Sequence, residues 1–200
     1  MTKDLILASK SAARLSMLSA AGLQIDSAAP MVDEAAIRSA MVEQGAHARD
    51  ISAALAEAKA VKISKKYPAA LVLGSDQILE TTGGQILQKA ETPDDAKQKL
   101  AYLSGRAHYL FSAAVIAEAG QPTWRHVDKS MLKMRSLSAA FIDAYVNQFW
   151  EEIRPCVGCY RIEAEGIQLF EKVEGNHFSV MGMPLMPLLD HLRRRGNLRS

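Results

Sequence analysis

Cysteine is scarce in this chain: Cys156 and Cys159 are the only two among 200 residues. Two thiols cannot build a disulfide framework. A structural zinc centre usually takes four ligands, and no second cysteine pair exists to complete one. His126 and His177 stand at no matching spacing, so Pro155-Cys156-Val157-Gly158-Cys159 reads as two small thiols near a turn. Long apolar runs are also missing, which argues against a membrane-spanning helix. Met1-Thr2-Lys3-Asp4 leads into a short strand, not into the extended apolar region of a secretory signal. Neither sign of charge is in excess: 24 basic and 22 acidic residues leave +2. With no basic surface interleaved with aromatics, a nucleic-acid partner is disfavoured. There is no internal repeat, low-complexity tract or clear linker. The expectation is one soluble, cytoplasmic domain over residues 1–200, with a core large enough for two lobes around a cleft.

What is present is an alternation of apolar strands and amphipathic helices. Leu5–Ala8 reads as a strand and Ala12–Ala21 as a helix stopped by Gly22. A short strand at Ile25–Ala29 ends at Pro30, and a polar, alanine-rich stretch comes next. Its segment Glu43–Asp50 is the weakest point of order. Ile51, Leu55, Ala58 and Val61 recur at helical spacing, which predicts a helix from Arg49 to about Lys66. Leu71–Asp76 is a buried-type strand continued by Gln77–Glu80, and Thr82-Gly83-Gly84-Gln85 turns it into a hairpin with Ile86-Leu87. Thr92 caps a helix with Pro93 in its first turn. His108–Glu118 and Thr123–Arg135 form a long antiparallel pair about Gly120-Gln121. Ser138 opens another helix, Ile167–Val173 reads as a strand, and Pro184 opens a closing helix that ends in Arg193-Arg194-Arg195.

The chemistry gathers at element ends. After the first strand, Ser9 or Ser11 can cap the helix, yet Arg14 sits near the positive end of that helix dipole, where a cation gains nothing locally. Arg14 makes sense there if an anion shares the site, and helix N–H groups, hydroxyls and an arginine together suit phosphate. Asp33-Glu34 and Asp76 come after strands, Lys59 lies on the long helix, and Lys89 comes after the hairpin. Each has an ordinary structural explanation: a turn cap for Asp76, a solvated loop for Asp33-Glu34, solvent-facing charges for the lysines. If they converge, cations hold phosphates while carboxylates hold a divalent metal or activate water, as phosphoanhydride hydrolysis requires.

The ordered segments Leu7-Ala8-Ser9-Lys10-Ser11, Val32-Asp33-Glu34, Ala58-Lys59-Ala60, Gly74-Ser75-Asp76-Gln77 and Gln88-Lys89 resemble the motifs of the Maf family. So do Leu103-Ser104-Gly105-Arg106-Ala107-His108 and Met181-Gly182-Met183-Pro184, and together they cover nearly the whole chain. The resemblance implies an α/β fold: a long curved mixed β-sheet with flanking helices in two lobes around a cleft. It implies hydrolysis of non-canonical or modified nucleoside triphosphates to the monophosphate and diphosphate, which keeps them out of nucleic acids. It implies a divalent cation, Mg²⁺ or Mn²⁺, and a homodimer whose interface the sequence does not reveal. Carried over residue by residue, Asp76 is the proton acceptor. Glu34 joins it on the catalytic, metal-holding side, and Ser9, Arg14, Lys59 and Lys89 bind phosphates.

Within the family the chain is most similar to the branch that prefers 7-methyl-GTP. Gln77 stands where the dTTP/UTP branch has threonine, and Glu163 where it has glutamine. A carboxylate accepts both N–H donors of the guanine edge and favours the charge of a methylated base, so Glu163 is expected to read guanine with Gln77 assisting. Two departures stand out: Ser11-Ala12-Ala13-Arg14 replaces the usual Ser-Pro-Arg-Arg, and Ala13 lacks the aromatic typical of that branch. Ala13 is therefore a third specificity position. The alternatives are a pyrimidine triphosphate pyrophosphatase and a weakly catalytic, nucleotide-binding regulator of cell division.

Overall fold

A computed structural model describes residues 4–198; Met1-Thr2-Lys3, read as the approach to the first strand, lies outside them. Among the described residues, seven strands form one mixed sheet. The strands are β1 (Leu5–Ala8), β2 (Ile25–Ser27), β3 (Leu71–Thr81), β4 (Ile86–Leu87), β5 (Ala107–Glu118), β6 (Gln121–Met134) and β7 (Phe170–Glu174). The order is β2-β1-β3-β5-β6-β7, with β4 paired to β3. β1 runs parallel to β2 and β3; the remaining pairs are antiparallel. Among the described residues seven α-helices flank the sheet: α1 (Ala12–Ala20), α2 (Glu34–Glu43), α3 (Ala48–Lys66), α4 (Pro93–Leu103), α5 (Ala139–Ile153), α6 (His177–Val180) and α7 (Leu185–Arg194). No helix of the described residues is long and apolar enough to cross a membrane.

Side chains alternate across each strand, and the two sheet faces hold different cores. One face carries α3, which places Ala56 and Ala60 against Ala113, Val115 and Ala117. The small residues let helix and sheet approach closely. The limit is Gly74, where an added Cβ would lie 2.0 Å from the Ala56 carbonyl oxygen. The opposite face carries two separate clusters. At one end α1 and α7 pack Leu18, Leu188 and Leu192 on Leu73 and Ile116. At the other, α4 and α5 pack Leu100, Leu103 and Val146 on Leu79, Leu110 and Leu132. These clusters are the cores of the two lobes.

Several expectations need correction. The continuation of the strand through Gln77–Glu80 is present, and it places Asp76 inside the strand and not after it: β3 runs unbroken to Thr81, held by ten consecutive pairings with β5 from Val72 onward. What ends is β1, at Ala8 opposite Gly74, so Asp76 borders the crevice beyond the carboxyl end of β1. The alanine-rich stretch after Asp33 is helical. Asp33 caps it by accepting the Ala36 N–H at 3.0 Å; α2 buries no residue fully and rests on α3 and the sheet through Ile37 and Met41 alone, a single i, i+4 pair. Of Glu43–Asp50, read as weakly ordered, only residues 44–47 are a connection; Glu43 ends α2 and residues 48–50 begin α3. The strand expected at Ile167–Val173 begins only at Phe170, after a 3₁₀ turn over Glu165–Leu169. Gly166 lies there directly on the Arg161 backbone, where a Cβ would be 2.4 Å from its oxygen.

Candidate active site

The loop between β1 and α1 is built by its two serines. Ser9 Oγ accepts the Ser11 N–H at 3.1 Å, and Ser11 Oγ accepts the Arg14 N–H at 3.3 Å. Ser11 is therefore the cap, and buried Ser9 keeps its hydroxyl hydrogen for another acceptor. Arg14 turns back toward the sheet. Its Nε donates to the Gly182 carbonyl at 2.9 Å and its Nη1 to the Ser75 carbonyl at 3.0 Å. A guanidinium has five N–H donors, so Nη2 remains for a ligand. Burial lowers the Arg14 pKa; the charges of Asp76 and Glu34 oppose that shift, which puts all three in one electrostatic neighbourhood. Ala13 sits half-buried in the first turn of α1.

The centre of the site is Lys59. Its ammonium nitrogen lies 2.6 Å from Asp76 Oδ1 and 2.9 Å from Glu34 Oε1. The Lys59 and Asp76 side chains are only 7% and 9% exposed, whereas Glu34 is 42% exposed. Leu55, Lys59 and Ile63 share the buried stripe of α3, so this lysine points at the sheet and not at water. That i, i+4 spacing to two buried apolar residues is the sequence signal that reveals its direction. Gly74 brings β3 against α3 two residues before Asp76, and α2 presents Glu34 from its first turn.

Lys89 approaches from the segment after β4. It keeps solvent exposure, yet partial burial lowers its pKa. Arg14 and Lys59 reinforce that shift, while Glu34 and Asp76 oppose it. Arg38, one helical turn beyond Glu34, donates to Gln88 Oε1 at 3.2 Å and ties α2 to the same segment. The Cys156 thiol feels Glu163, which raises its pKa, and Arg161 and Lys89, which lower it. Burial raises both thiols to about 11, which leaves Cys156 and Cys159 protonated and unreactive near neutrality. Glu163 faces Arg161, whose Nε is 3.4 Å from its Oε1. Gln77 lies on the sheet face opposite Asp76. Its Nε2 is committed to Ser112 Oγ and to the carbonyls of Ser179 and Val180, at 2.9, 3.1 and 2.9 Å.

Among the described residues no group of three or more His, Cys, Asp or Glu side chains forms a metal cage. The donor set nevertheless suits a hard cation. Lys59 takes one oxygen from each carboxylate, and a carboxylate has about four lone-pair sites. Mg²⁺ is commonly held by one or two carboxylates together with substrate phosphates and water.

Comparison with known proteins identifies relatives of this chain. The family model described as Maf-like protein matches residues 4–195. A nucleoside triphosphate pyrophosphatase of Ruegeria pomeroyi is 47% identical over 196 residues, 98% of each chain. One of Sphingopyxis alaskensis is 48% identical over 192 residues, 96% of this chain and 97% of that one. A 7-methyl-GTP pyrophosphatase of Brucella abortus is 42% identical over 194 residues, 97% of each. With a match running from β1 through the last helix, this chain belongs to the Maf-like protein family.

Proposed function

We propose that this chain hydrolyses a modified nucleoside triphosphate at the bond between its α and β phosphates, giving the monophosphate and diphosphate. The observation that carries the reading is the buried Lys59 ammonium held between Asp76 and Glu34, beside Arg14 and Lys89. A triphosphate brings about four negative charges to such a site. Lys59, Lys89 and the free edge of Arg14 neutralise them, and Ser9 donates its hydroxyl at the helix N-terminus. Asp76 takes a proton from the attacking water as a new P–O bond forms; the α–β bridging bond breaks and diphosphate leaves with its electron pair. Asp76 and Glu34 would hold a divalent cation, Mg²⁺ or Mn²⁺, which when bound neutralises phosphate charge. The names of the Ruegeria, Sphingopyxis and Brucella relatives support the same chemistry.

For the base, we assign Glu163 to the guanine N–H edge and favour 7-methylguanine. Gln77 acts from beneath the site by holding the Ser179 and Val180 carbonyls at the end of α6, and Ala13 leaves space beside the base. Arg161 against Glu163 favours a second reading, in which that carboxylate is already neutralised and the base is a pyrimidine. Diphosphate release with Mg²⁺ or Mn²⁺ from 7-methyl-GTP, GTP, dTTP, UTP, CTP and 5-methyl-UTP decides. Turnover led by 7-methyl-GTP and reduced at least ~10-fold by Glu163→Gln supports the first reading. Turnover led by a pyrimidine supports the second. Nucleotide binding without diphosphate release would overturn both.

A further inference from the structure

The face of the sheet opposite Asp76 contains a polar row, from fully buried Ser112 to half-buried Gln77 and Asp128, that takes no direct part in phosphoanhydride hydrolysis. Register pairs Gln77 of β3 with Ser112 of β5, and Ser112 with Asp128 of β6. The three side chains therefore stand side by side. The row crosses the sheet between the two lobe cores, with Leu73 and Ile116 on one side and Leu79 and Leu110 on the other. Polar groups buried at such a seam are costly unless partnered, and here the partner is α6. Ser112 Oγ donates to the Ser179 carbonyl at 2.6 Å, and Gln77 Nε2 donates to it at 3.1 Å. Ser179 Oγ donates to Asp128 Oδ2 at 2.5 Å, while Asp128 Oδ1 meets His126 Nε2 at 2.7 Å.

α6 has four residues, too few to hold its own position. Its anchorage reaches the site through the next turn, because the Ser179 carbonyl also accepts the Gly182 N–H at 3.0 Å. The Gly182 carbonyl in turn receives Arg14 Nε at 2.9 Å and Ser75 Oγ at 3.1 Å. Gly182 has φ of +104°, and a Cβ there would lie 3.4 Å from Arg14 Nη2. The carbonyl that aims the guanidinium is thus fixed by a turn that Asp128 and Ser112 hold in place.

We propose that Asp128, through Ser179, is a positioning residue for Arg14, and that this strap sets the phosphate-binding geometry from the far side of the sheet. The proposal rests on the reading of Arg14 as a phosphate ligand. Asp128 touches no reacting atom; it acts through the Ser179–Gly182 turn. Misplacing a catalytic group by about 1 Å can lower rates ~100-fold, so Asp128→Ala is expected to lower kcat/KM for diphosphate release by ~10- to 100-fold.

The test is a double-mutant cycle. Asp128→Ala is measured in the natural background and in Arg14→Ala, with Asp128→Asn beside it, since the amide oxygen still accepts from Ser179. The proposal expects Asp128→Ala to lower kcat/KM less than ~3-fold once Arg14 is gone, and Asp128→Asn to recover to within ~3-fold of the parent. Factors that simply multiply, or no recovery by asparagine, would overturn it while leaving the phosphate role of Arg14 standing. An Arg14→Ala variant with parental kcat/KM would instead remove the reading on which the proposal rests. If Asp128→Ala does not fold, Ser179→Ala breaks the same link and Ser179→Thr restores it, with the same expected coupling to Arg14.

Discussion

Replacing Lys59 by methionine keeps the stem that packs between Leu55 and Ile63 and removes only the ammonium. Two carboxylate oxygens that now lie 2.6 and 2.9 Å from that nitrogen then face each other without a cation. The penalty is unequal. Glu34 is nearly half exposed and is screened by water, so its lost pair contributes little. Asp76 is 9% exposed, and removing the partner of a buried charge costs about 3–5 kcal/mol. With Glu34 discounted, Lys59→Met should lower unfolding stability by about 3 kcal/mol. Urea titration would show this as a lower midpoint at unchanged slope. A divalent cation supplies the missing charge, so millimolar Mn²⁺ should raise the midpoint of Lys59→Met more than that of the parent. Diphosphate release should fall by ~100-fold or more in kcat/KM, in the range found when one transition-state donor is removed. An unchanged urea midpoint together with kcat/KM within ~3-fold of the parent would refute the view that Lys59 organises both carboxylates.

The same geometry sets three further outcomes. Gly74→Ala drives a methyl group into the backbone of α3 and should lower stability by about 3 kcal/mol or leave the protein insoluble, measurable by urea titration. His108 is buried against Tyr160, at 2.7 Å from its hydroxyl, and burial lowers its pKa to about 4. Because the folded state disfavours its protonation, its contribution is complete above pH 6.5 and falls by about 3 kcal/mol as the pH drops toward 4. His108→Gln should flatten that part of the stability profile. The lowered pKa of Lys89 predicts an alkaline loss of kcat/KM beginning below the ordinary lysine range, and Lys89→Arg should move that limb upward.

Local chemistry was readable in the chain, and long-range register was not. A serine cap at Ser9 or Ser11, the strand into Ser9 and the Thr92-Pro93 helix start depend on residues within one turn; the structure contains the last two and assigns the cap to Ser11. Asp76 could be singled out because a carboxylate comes shortly after the apolar run Leu71-Val72-Leu73. Its partner was harder to foresee: Lys59 sits beside Lys62 in sequence, but only Lys59 occupies the stripe of Leu55 and Ile63. α2 escaped because it rests on the surface with no fully buried residue. Gln77, Ser112 and Asp128 meet only through the register of three strands, and their separations of 35 and 16 residues carry no periodic signal.

The most direct test of the account is Asp76→Asn beside the parent, with nucleotide binding and diphosphate release measured on the same preparations. The asparagine oxygen still accepts from Lys59, which also keeps Glu34, so the phosphate-binding cations should stay in place in the folded variant although its stability falls. The account predicts a nucleotide Kd within ~3-fold of the parent and diphosphate release slowed by at least ~100-fold. Parental turnover by Asp76→Asn, or release of orthophosphate in place of diphosphate by the parent, would contradict it.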